Sequence, residues 1–90
     1  MKLIRWSPHA LKNLADREIP RDEAERTLAE PEMVSPARQP RRFLMRRYFD
    51  VRLQQEMLLR LLVEDAPAED VVITVYSTSE IDKYMKGMKS

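Results

Sequence analysis

Prolines at 8, 20 and 31 cut the first third of this chain into two short segments, and that punctuation limits the fold more than any other feature. Ser7 offers a hydroxyl N-cap, and Pro8 suits the first helical position, where its missing N–H costs nothing. A helix is therefore expected near 8–18. Its apolar stripe is Ala10, Leu11, Leu14 and Ala15, with His9, Lys12, Asn13, Asp16 and Arg17 on the opposite stripe. Ile19-Pro20 breaks it. Pro20 opens a second helix near 20–30, with Asp22 and Glu23 in the first turn where the helix dipole favours them, and Pro31 ends that helix. Ahead of both, "KLIRW" reads as a short edge strand.

The second half reads as β structure. "VVITVY" (71–76) is β-branched and aromatic almost throughout. "RRFLMRRYFD" alternates moderately, and "EMLLRLLVE" is an apolar run that is strand or helix by pattern alone. Turn signals at Asp50–Gln54 and in "EDAPAED" favour strands near 41–49, 56–64 and 70–77, joined as an antiparallel meander. Ser77 and Glu80 have capping-box spacing, and Ile81, Tyr84, Met85 and Met88 form an apolar stripe, so a short terminal helix follows. The expected architecture is α+β and two-layer, in the order β-α-α-β-β-β-α. A helical pair packs on a small twisted antiparallel sheet, in a single domain over 1–90.

Period-two bookkeeping then assigns faces. Phe43, Met45 and Phe49, Met57 to Val63 at odd positions, and Val71, Ile73 and Val75 are expected toward the helices. That leaves Arg46, Tyr48, Arg60, Thr74 and Tyr76 on an open face. Arg60 carries the most weight, because it is the only charge between Met57 and Val63 and an arginine in such a run needs an anionic partner. That partner is a bound phosphate or, alternatively, Glu56, Glu64 or Asp82.

With 90 residues, no cysteine and one histidine, the chain has neither a disulfide framework nor a thiolate or histidine-rich metal site, so no metal and no cofactor are expected. No stretch approaches the roughly 20 apolar residues of a membrane span, and "MKLIRW" lacks the apolar core of a signal peptide. A cytoplasmic protein without membrane contact is expected. The net charge is only +1, but seven arginines (38, 41, 42, 46, 47, 52 and 60) face only Asp50 and Glu56 within 38–60. The flanks compensate, with five acids against two arginines in 21–32 and four acids without a base in 64–70. The block is either ordinary surface charge or an arginine-rich face for phosphates.

The segment "WSPHALKNLADREIPRDEAERTLAEPE", the arginine-rich meander and the closing "VVITVYSTSEIDKYMK" together resemble the small prokaryotic proteins related to BrnT, within the RelE/ParE-type toxin superfamily. The chain is most similar to an uncharacterised family of short BrnT-like proteins that begin with a Ser-Pro-His-Ala helix. The resemblance spans nearly the whole chain. It implies a RelE-like fold and metal-independent cleavage of mRNA, free or on the ribosome, held in check by a cognate antitoxin protein; ParE-type relatives inhibit DNA gyrase instead. Ser79 and Glu80 stand where BrnT-like chains carry a small-residue, basic stretch.

Cutting RNA through its 2′-hydroxyl needs a base, cations for the phosphorane and an acid for the leaving oxygen. His9 is the candidate base, unless it serves only to start the helix. Arg46 and Arg60 are the candidate phosphate clamps, with Tyr76 beside them. Arg41, Arg42, Arg47 and Tyr48, with Lys83 and Tyr84 on the terminal helix, are candidates for contacting RNA phosphates and bases. The rival reading is a non-catalytic interaction module whose opposite-sign blocks dock a protein partner or a second copy of the chain.

Overall fold

A computed structural model describes residues 3–85. Over them the chain runs β1 (Leu3–Trp6), α1 (Pro8–Asp16), α2 (Arg21–Ala29), β2 (Met33–Pro36), β3 (Arg41–Asp50), β4 (Gln55–Asp65), β5 (Glu69–Thr78) and α3 (Ile81–Met85). The helices and meander strands expected near 8–30 and 41–77 stand where the prolines and turn residues put them. Met88, counted in the expected terminal stripe, lies outside the described residues, as does Lys2 of "KLIRW".

The architecture itself corrects the expectation of a helical pair on a small antiparallel sheet. The sheet is five-stranded and mixed, in the order β1-β5-β4-β3-β2. β1 pairs parallel with β5, joining Leu3 to Glu69 and Trp6 to Val72, and the other pairings are antiparallel. β2, a four-residue edge strand ending in Pro36, joins β3 without having any pattern of its own in the sequence. The helices do not act as a pair: α1 packs on β5, and α2 packs on β3 and β4. α3 covers the other face, so the molecule has three layers. Among the described residues no helix is long and apolar enough to cross a membrane.

Two apolar clusters follow from this layering. The larger lies under α1 and α2, where Ala10, Leu14, Ile19 and Ala24 meet Leu44, Tyr48, Met57, Leu59, Leu61, Val63, Val72 and Val75. The smaller lies under α3, where Met85 meets Met45 and Leu58. β4 contributes to both, since Leu58 is as fully buried as Leu59 and Leu61. Each such side chain contributes roughly 1.5–3 kcal/mol by leaving water.

The expected face assignments change for two physical reasons. Residues opposite each other in an antiparallel pair share a face. β3 lies against β4 with Met45 opposite Arg60 and Arg46 opposite Leu59. Phe43 and Met45 are therefore on the α3 side, while Leu44, Arg46 and Tyr48 are on the side of α1 and α2, the reverse of the expectation. Between β4 and β5 the register shifts at Leu62/Val63, so that Thr74 pairs with Leu62 but Val72 pairs with Val63. Ile73 is the extra residue of this bulge, and it lets Val72 and Val75 point into the same core despite their odd spacing.

α1 also finishes the sheet edge that β1 leaves open. The Ser7 hydroxyl accepts from the Ala10 N–H as the N-cap and donates to the Ile73 carbonyl, both at 3.0 Å. One turn on, Asn13 Oδ1 accepts from the Val75 N–H at 3.0 Å, and Arg17 Nη1 donates to the Val75 carbonyl at 3.0 Å. This turns the helix from the expected stripe: Ala10, Asn13 and Leu14 are buried, and Leu11 is exposed. The helix ends with Glu18 at φ 53, where the Ile19 N–H donates to the Leu14 carbonyl and the Glu18 N–H to the Ala15 carbonyl.

Asn13→Ala leaves the buried Val75 N–H without an acceptor and is expected to cost about 1–3 kcal/mol in denaturant unfolding. A loss below about 0.5 kcal/mol would show that water reaches this edge and that Asn13 does not hold it.

Candidate anion-binding site

β4 carries one charged residue in its buried stretch, and the cross-strand register decides what surrounds it. Arg60 stands opposite Met45 on β3 and Tyr76 on β5. Its guanidinium carbon lies 4.2 Å from the Phe43 ring centre, 5.2 Å from that of Tyr76 and 4.0 Å from that of Tyr84 on α3. Its Nε donates to the Met45 thioether at 3.3 Å, a weak acceptor. Only 9% of Arg60 remains exposed. Glu56, Glu64 and Asp82 were the carboxylates that could have neutralised it. Glu64 instead pairs with Arg41 at 3.1 Å, and among the described residues Arg60 has no ion-pair partner. Burial pulls its guanidinium below the ordinary arginine value, and Tyr84 opposes that pull. An arginine remains charged through this, so a cation with no ion-pair partner among the described residues sits in an aromatic frame.

The remaining sequence candidates divide by face and by partner. Tyr76 and Tyr84 join Arg60, with Lys83 Nζ 5.3 Å from the Tyr84 ring centre. Phe43 and Met45, which were expected on the helix side, complete the frame; the β3 register was the missing information. Arg46 lies across the sheet, where its Nη1 donates to the Glu30 carbonyl at 2.8 Å and so closes the C-terminal end of α2. Tyr48 is buried in the larger core. Burial raises its hydroxyl above the ordinary tyrosine value, Ser77 opposing and Asp50 adding to the rise, while neither residue reaches hydrogen-bond geometry with it. His9 is exposed on α1, on the face opposite Arg60. The single open face gathering Arg46 and Tyr48 with Arg60 is thus not formed.

The arginine block is largely neutralised by its own flanks. Arg41 meets Glu64, Arg42 meets Asp70 at 3.8 Å, Arg47 meets Glu32 at 3.1 Å and Arg52 meets Glu18 at 3.9 Å. Opposite-sign blocks that looked fit to join two copies of the chain therefore meet within one. Among the described residues, no three His, Cys, Asp or Glu side chains are grouped to hold a metal ion.

Residues 6–77 match the family described as Domain of unknown function (DUF4258). The chain belongs to this DUF4258 family. No curated protein and no solved structure matches the chain. The matched span ends at Ser77, so it contains Arg60, Phe43, Met45 and Tyr76 but not the Tyr84 of α3.

The Glu32–Arg47 pair gives a pH test of the register. The Glu32 carboxylate accepts from the Arg47 side chain and also, at 2.8 Å, from the Arg47 backbone N–H, in that order of effect lowering it below the ordinary glutamate range. A lowered carboxylate stabilises the fold fully above its unfolded value and loses that contribution as pH falls through the folded one. Unfolding followed against pH should show a shallower acid-side loss for Glu32→Gln than for the native chain. Identical slopes would contradict the pairing.

Proposed function

We propose that this DUF4258 protein is a toxin-type member of the RelE/ParE superfamily, close to BrnT, that cleaves mRNA without a metal and is neutralised by a cognate antitoxin. The observation that supports the reading most is the Arg60 guanidinium, desolvated, without a carboxylate partner among the described residues and framed by the rings of Phe43, Tyr76 and Tyr84. A buried cation lacking an anion costs stability, and a phosphate with a base stacked beside it supplies what is missing.

In the proposed reaction the RNA 2′-oxygen attacks the adjacent phosphorus, the bond to the 5′-oxygen breaks, and the ends are a cyclic phosphate and a 5′-hydroxyl. Arg60 stabilises the charge on the phosphorane oxygens. Because His9 and Arg46 stand on the opposite face, the sheet-borne group near Arg60 that can exchange protons is the Tyr76 hydroxyl.

A second reading, a non-catalytic module that docks a protein, is favoured by a different place. The β3–β4 hairpin exposes Phe49 at 56%, Val51 at 73% and Leu53 at 41%. Phe49 and Val51 line a cleft of about 260 Å³ together with Glu18, Asp22, Glu23, Asp50 and Arg52, four acids against one base, which suits a basic, apolar segment of a partner.

Induced expression in a bacterial host separates the two. On the nuclease reading the native chain slows growth and fragments RNA, and Arg60→Ala, checked as folded, reduces cleavage about a hundredfold or more. A native chain that leaves growth and RNA untouched at high expression would reject the nuclease and favour the docking module.

A further inference from the structure

We infer that α3 is a latch over an RNA-binding site, so that the Arg60 frame takes up a phosphate and its base only when Ile81–Met85 lifts from the sheet. The inference rests on the phosphate-binding reading above and adds the regulation of that site.

The frame has two kinds of wall. Phe43, Met45 and Tyr76 belong to the sheet and are held by its ladders. Tyr84, the ring nearest the guanidinium at 4.0 Å, belongs to α3. α3 docks through Ile81, Tyr84 and Met85 on the smaller of the two clusters. It follows Ser79 and Glu80, both exposed, and within Ile81–Met85 these three side chains are what holds it to the sheet, whereas the strands beneath are tied by their ladders. Local opening of such an element requires far less free energy than unfolding the sheet beneath it. Lifting it removes one ring from Arg60 and leaves the guanidinium between Phe43 and Tyr76. A cation flanked by two sheet-borne rings then faces solvent, the arrangement that holds a phosphate and stacks a base. The docked state compensates the desolvated cation with the Tyr84 ring, and the open state compensates it with the ligand.

Affinity for a short fluorescein-labelled, 2′-O-methylated single-stranded RNA tests this, because that probe carries phosphates and bases but has no free 2′-hydroxyl to react. Tyr84→Ala should bind about tenfold more tightly than the native chain, since the closed state no longer competes. Adding Arg60→Met should abolish the gain. Ile81→Ala, which loosens α3 through the apolar cluster, should shift affinity in the same direction, and it serves if Tyr84→Ala does not fold. Amide exchange across Ile81–Met85 reports whether each variant has released the helix. Equal, Arg60-dependent binding by native and released chains would overturn the latch and leave the phosphate reading standing. Weaker binding by Tyr84→Ala with retained fold would make Tyr84 an RNA contact and also overturn the latch. No binding by any chain, with α3 shown to be released, would overturn the phosphate reading and the latch together.

Discussion

The fold depends on β4 being buried on both faces. Met57, Leu59, Leu61 and Val63 serve the core beneath α1 and α2, while Leu58 serves the cluster beneath α3. A strand with that requirement needs neighbours on both sides and a layer on each face, and β3, β5 and the three helices meet it. It also makes any charge in the strand costly. Arg60 is that charge, and the cross-strand register surrounds it with rings and a thioether rather than carboxylates.

The polar chemistry elsewhere is directed at closing the sheet. Ser7, Asn13 and Arg17 occupy the edge of β5 beyond the last residue of β1. Glu32 caps the Arg47 N–H where β2 begins, and Arg46 caps a carbonyl at the end of α2. The exposed ion pairs between the arginine block and its acidic flanks are worth little individually. They nevertheless reduce the positive field that the sequence suggests for β3, and so concentrate interest on Arg60, the buried arginine of the block that has no ion-pair partner among the described residues.

The prolines and the Ser7 cap made α1 and α2 readable in the sequence, the turn residues and the β-branched run made β3, β4 and β5 readable, and β1 and α3 were expected as well, because each signal acts through local backbone geometry. What was not readable depended on pairing. β2 is four residues with a proline and offers no periodicity. β3 has apolar residues on both faces, Leu44 and Tyr48 against Phe43 and Met45, so alternation could not choose its orientation; only the register across the hairpin with Asp50 opposite Gln55 does. The bulge at Ile73 breaks the period of two within the β-branched run of β5. The parallel pairing of β1 with β5 is a long-range contact without a local signature. For the site, Arg60 and Tyr76 were correctly placed side by side, whereas Arg46, Tyr48 and His9 were separated from them by the sheet.

The account stands on Arg60 being a cation that the fold tolerates rather than needs. The direct test is the unfolding free energy of Arg60→Met, a side chain of similar length that carries no charge into the apolar frame. Because no partner charge is left behind, the variant is expected to unfold at a denaturant concentration equal to or above that of the native chain. A loss of about 3 kcal/mol or more would show that the guanidinium holds the rings and α3 to the sheet, and that Arg60 is a structural residue.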